Sequence, residues 1–148
     1  MKDHFLKIFD HDAEANNKIL KILRGSKGIP EKARAIFRNT ILTQQMWIDR
    51  ITNGESSVNT AGPLPESLWQ RQMNENYLQI SEYTRNTSDM YELVEFTDSE
   101  GIGARLYLKD ILHHLIIRSG YNRGIIISVM NKRAETILEI DYIYYLRK

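Results

Sequence analysis

The chain has 148 residues, 42% of them hydrophobic and 26% charged, with a formal net charge of +1. That is the size and balance of one globular domain with one core, and the interspersed charges leave no basic surface broad enough to hold nucleic acid by its phosphates. Cysteine is absent, which excludes disulfides, thiolate metal sites and a cysteine nucleophile.

Lys2, Asp3, His4, Lys7, Asp10, His11 and Asp12 interrupt the first residues, so no signal-peptide core is expected there. Nowhere does a run approach the roughly 18 apolar residues of a membrane span. A cytoplasmic protein without a membrane partner is the expectation.

Phe5, Ile8, Phe9, Asn16, Ile19, Leu20 and Leu23 recur at three-and-four spacing and predict a first helix, stopped by Gly25 and Gly28. Pro30 suits the first turn of a second helix, with Glu31 beside its positive end. Ala33, Ile36, Thr40, Gln44, Trp47 and Ile51 form its buried stripe, and Asn53-Gly54 ends it. Residues 54–63, rich in Ser, Asn, Thr and Gly, read as a loop. Pro65-Glu66 opens a third helix to about Arg85, carrying Trp69, Met73, Tyr77 and Ile80.

Residues 91–96 and 104–108 change the period and flank the turn-like run 98–103, which predicts a short hairpin. A fourth helix runs from 110 to about 132, with Ile111, Leu115, Arg118, Asn122, Ile125 and Val129 on one stripe, so two polar residues fall inside an apolar seam. The aromatic tail, 137–146, is apolar enough to pack onto the helices. Four helices, a hairpin insert and a packed tail complete the predicted architecture.

Three segments carry a family likeness. Residues 8–20 (IFDHDAEANNKIL) and 37–51 (ending QQMWIDRI) resemble a first and second helix. Residues 110–125 (DILHHLIIRSGYNRGI) resemble the fourth-helix pattern Asp-Ile-Leu-x-His-x-x-x-His-x-x-Tyr-His-Arg-Gly-Gln. The ending, 141–147, is similar to a closing segment of the same family. These likenesses are to the DinB or YfiT-like metalloenzymes. They imply a mainly α fold, a DinB-like four-helix bundle with a short β-hairpin between the third and fourth helices and a packed C-terminal tail, spanning 1–148 as a single domain.

In that family, one histidine from the second helix and two from the fourth, spaced four apart, hold a divalent metal such as zinc or nickel, leaving coordination positions open. The matching positions here are Asn39, Arg118 and Asn122. An asparagine offers only a carbonyl oxygen, and an arginine has no lone pair and a permanent charge that repels a cation. No metal cofactor is therefore expected. His114 matches a position that is often histidine in the family, one turn before the ligand pair. His113 and His114 point about 100° apart on a helix, so a shifted metal site stands as the alternative to a hydrogen-bonded core or groove histidine. Surface or packing roles are expected of His4 and His11.

Arg118 has two readings. In one it completes a buried polar network with Asn39, Asn122, Asp12, Glu14 or backbone carbonyls. In the other it grips the carboxylate or phosphate of a small anionic ligand while Asn39 and Asn122 orient it. Asp12 and Glu14, two apart, face different directions and make no acid–base pair; each is expected to be solvated or ion-paired. Trp47, Trp69 and residues 142–145 read as packing residues. Gly101-Ile-Gly103 lacks the helix of a phosphate loop, and no serine triad is evident. Three functions remain open at this point. One is a degenerate DinB site that binds a small anion. A second is a metal-dependent hydrolase or thiol transferase with a non-standard site. The third is a structural homodimer.

Overall fold

A computed structural model describes residues 1–131 and 140–147. Four long helices, α1 (Lys2–Arg24), α2 (Glu31–Asn53), α3 (Trp69–Asn86) and α4 (Leu108–Val129), make up most of it. A two-stranded antiparallel hairpin, β1 (Leu93–Thr97) and β2 (Gly103–Tyr107), joins α3 to α4, and a single helical turn, α5 (Tyr142–Tyr145), follows the undescribed stretch. Packing is a square in which α1 and α2 each lie against both α3 and α4. Among the described residues, no helix is long and apolar enough to cross a membrane.

The element boundaries follow local chemistry. Pro30 caps α2 from just outside, one residue earlier than its expected place in the first turn, because extended backbone at a proline suits a cap. Gly54 ends α2 in the left-handed region, φ +79°, and its amide returns to the Arg50 carbonyl. Its own carbonyl receives the Thr97 amide at 2.7 Å, which fastens β1 to the end of α2. The third helix opens with a tight turn at Glu66–Leu68 before α3 proper, held by an ion pair of Glu66 with Arg34 of α2. The hairpin buries Val94 and Phe96 on one face. The predicted tail falls partly outside the described residues; within them, Ile140 is buried and α5 lies against α1.

The apolar interior forms two clusters. One, nearer the hairpin, gathers Phe5, Phe9, Trp47, Ile48, Ile80, Phe96 and Leu112. The other gathers Ile19, Leu23, Phe37, Trp69, Met73 and Ile126. On every helix a buried polar residue lies between the two sets. Asp12 and Asn16 occupy that level on α1, Gln44 on α2, Asn76 on α3, and Ser119, Asn122 and Arg123 on α4. A polar layer therefore crosses the helices at mid-height, and the sites described below are built on it.

Candidate functional site

Asn39, Arg118 and Asn122 line one surface cleft of about 330 Å³ between α2, α4 and the loop at Thr60 and Ala61. The three residues share this cleft, but their exposures depart from the buried seam read from sequence. Asn122 is buried, whereas Arg118 is exposed and stands at the cleft edge. The buried stripe of α4 is Leu108, Ile111, Leu112, Leu115, Ser119, Asn122, Arg123, Ile126 and Ile127. A strict seven-residue repeat slips backwards on a straight helix. That slip is only about 20° per heptad; the buried set itself centres near Ser119 and Ile126, which puts Arg118 and Ile125 roughly a quarter turn off the buried face. Arg118 consequently keeps its guanidinium in water and requires no buried counter-ion.

The two asparagines are committed to each other. Asn122 Nδ2 donates to Thr40 Oγ1 at 2.9 Å and to Asn39 Oδ1 at 3.3 Å, and Asn39 Nδ2 donates to the Thr60 carbonyl at 3.3 Å. They clip α4 to α2 and α2 to its loop, which spends both N–H groups of Asn122 and one of the two on Asn39. Two cationic donors line the cleft: Arg118, which makes no ion pair among the described residues, and Arg38, which is ion-paired with Glu31 at 3.6 Å. No carboxylate lines the cleft; Ile36, Tyr121 and Ile125 supply apolar wall.

This donor set does not fit a divalent metal. Asn39 Oδ1 is already an acceptor for Asn122, and a guanidinium beside the site repels a cation. His114 lies outside the cleft, exposed, with its ring 5.8 Å from that of Trp47, and His113 faces Phe5 at 4.7 Å. The two histidines do not converge on a common point. Among the described residues, no three of His, Asp and Glu gather where they could hold a metal ion.

The buried arginine is Arg123. Its Nη1 meets Asp12 Oδ1 at 2.5 Å, Asn16 Oδ1 at 2.9 Å and Ser119 Oγ at 3.0 Å. Asp12 Oδ2 takes further bonds from Asn16 Nδ2 at 3.3 Å and Gln44 Nε2 at 3.2 Å. Asp12 is thus ion-paired, as one of its two expected fates, and is only 3% exposed. The network drawn around Arg118 from sequence is instead built around Arg123, five residues further along α4, with Asp12 and Asn16 of α1. A signal was present: Asp12 stands four before Asn16 on the α1 stripe, and Arg123 four after Ser119, so each pair shares a helix face.

His11 flanks this network from the other side. Its Nε2 lies 2.7 Å from the Ile140 carbonyl, and the rings of Tyr142 and Tyr145 sit 5.2 and 5.5 Å away. Burial lowers its pKa below the ordinary value, and the charge of Arg123 adds to that effect. The histidine is a packing residue that holds the described end of the chain.

No family model matches the chain, and no curated protein or solved structure matches it.

Proposed function

We propose that this chain is a DinB-like four-helix bundle in which the family's metal position has become an anion-binding cleft, and that it works in the cytoplasm on a small anionic molecule. The observation that carries the reading is the cleft's charge: Arg38 and Arg118 line it, and no carboxylate does. A guanidinium left without a carboxylate partner offers paired N–H groups to a ligand carboxylate or phosphate. Ile36, Tyr121 and Ile125 favour a ligand whose anionic group is attached to an apolar body. The role is one of binding, since no nucleophile with an adjacent base lines the cleft.

Titration of benzoate and of inorganic phosphate, followed through the Asn39 and Asn122 side-chain amide resonances, tests it. A saturable shift that is lost in Arg118→Gln is the expected result. Absence of a saturable shift with both probes, or binding that survives Arg118→Gln unchanged, rejects the reading.

A second reading, self-association through α4, is favoured by a different observation. Ile117 and Tyr121 are 69% and 63% exposed one turn apart, with Gly120 and Gly124 beside them, so another helix would meet apolar side chains over a low surface. A concentration-independent monomer in light scattering would remove it.

A further inference from the structure

On the opposite side of α2 from the anion cleft lies a more enclosed cavity of about 220 Å³, bounded by α1, α2 and α3. Phe9, Met73 and Ile80 give it apolar walls, the Tyr77 side chain borders it, and Asp12, Asn16, Asn17, Gln44 and Asn74 give it a polar side. Neither lysine nor arginine lines it.

The direction of its hydrogen bonds is lopsided. Asn16 Nδ2 is spent on Asp12 and Ser119, Asn17 Nδ2 on the Ala13 carbonyl at 2.9 Å, and Gln44 Nε2 on Asp12. The Tyr77 hydroxyl donates to Asp10 Oδ1 at 2.5 Å. Both N–H groups of Asn16, and one each of Asn17 and Gln44, thus point into the protein. Gln44 Oε1, by contrast, accepts no hydrogen bond among the described residues, and Asp12 accepts three where a carboxylate has room for about four. Charge leans the same way. Asp12 is neutralised by Arg123 behind it, but Asp10, an exposed residue joined to the lining through the Tyr77 hydroxyl, has no cation within ion-pairing distance among the described residues. The region therefore carries an excess negative charge beside two aromatic rings.

We propose that this cavity binds a small organic ammonium. Its N–H groups would satisfy Gln44 Oε1 and the acidic side, its charge would offset Asp10 and lie near the faces of Phe9 and Tyr77, and its apolar body would occupy the space by Met73 and Ile80. The size suits a single ring on a short arm, since an apolar cavity of about 150 Å³ already takes benzene. An anion is disfavoured here for the same reasons that favour it in the α2–α4 cleft, so one bundle presents two cavities of opposite preference on either side of α2.

Benzylamine, benzyl alcohol and benzoate, nearly equal in shape at neutral pH, separate charge from size. Benzylamine is expected to shift the Met73 methyl and Gln44 side-chain amide resonances saturably, benzyl alcohol to bind about tenfold more weakly, and benzoate to leave those resonances unmoved. Gln44→Met should weaken the amine by about tenfold. Asp10→Asn, a change at an exposed residue that leaves the fold intact, should weaken it severalfold and reduce its salt dependence. Arg118→Gln should leave amine binding unchanged. The proposal is overturned if benzylamine does not saturate or if the alcohol binds as tightly. It is equally overturned if Asp10→Asn is without effect, or if Arg118→Gln abolishes the amine shift and so places it in the other cleft.

Discussion

His11 on the first helix holds Ile140 near the end of the chain, with Nε2 at 2.7 Å from the carbonyl oxygen. A carbonyl only accepts, so Nε2 carries the proton of the neutral ring. Burial opposes charging this ring most strongly, and Arg123 opposes it further; the Ile140 carbonyl, Asp12 and Glu14 pull the other way without reversing the balance.

The folded pKa of His11 therefore lies below its ordinary 6.5, and the unfolded chain takes up a proton first as pH falls. The contribution of neutral His11 is complete above that value and is lost as pH drops towards the folded pKa. Thermal unfolding followed from about pH 7.5 to 5.5 should give a falling Tm for the wild type and a flatter profile for His11→Gln, which keeps an N–H donor but does not titrate. Parallel profiles would show that other groups set the dependence.

Asp12 and Arg123 form a pair whose side chains are 4% and 10% exposed. Asp12→Ala should cost about 3–5 kcal/mol, because it strands a buried guanidinium. Replacing both by apolar residues of similar volume, Asp12→Leu with Arg123→Met, should cost much less than either single change. Urea denaturation of the four proteins as a double-mutant cycle measures this coupling. Additive losses would mean that the pair is not a unit.

Within the α2–α4 cleft, neighbouring positions should respond differently. Arg118→Gln alters an exposed side chain and should change stability by no more than about 0.5 kcal/mol. Asn122→Ala removes the donor to Thr40 and Asn39 and should cost about 1–3 kcal/mol. Chemical denaturation of both variants distinguishes the exposed residue at the cleft edge from the helix clip, and equal losses would contradict that division.

Gly54 closes α2 at φ +79° with no side chain to hinder it. Gly54→Ala is expected to cost about 1–2 kcal/mol from the left-handed backbone alone, since a Cβ there would meet the Glu95 carbonyl oxygen only at 3.6 Å. Gly54→Asn should recover part of that loss. Calorimetric Tm values for the two variants provide the comparison.

The helices, their glycine and proline boundaries and the hairpin were legible because each rests on local periodicity and turn chemistry. Asn39, Arg118 and Asn122, matched to one another only through the family resemblance, line one cleft. What the pattern could not give was rotation. The apolar spacing of α4 is met by a seam through Ile111, Arg118 and Ile125 as well as by one centred near Ser119, and only packing against α1 and α2 decides that Arg123 and not Arg118 is buried. Arg123 was readable only by pairing polar residues across two helices 111 positions apart. The amine-complementary cavity had no sequence signal, because it depends on which way each amide is turned.

The polar layer also bears on how this chain can be made. Asp12 is synthesised early, yet its cation, Arg123, lies on the last long helix and leaves the ribosome more than a hundred residues later. Until then, α1 can collapse with α2 and α3 through its apolar residues, but it carries an acid whose burial nothing offsets. Arrival of α4 removes that mismatch and locks one pairing of the helices, so completion of the bundle waits on a single late side chain.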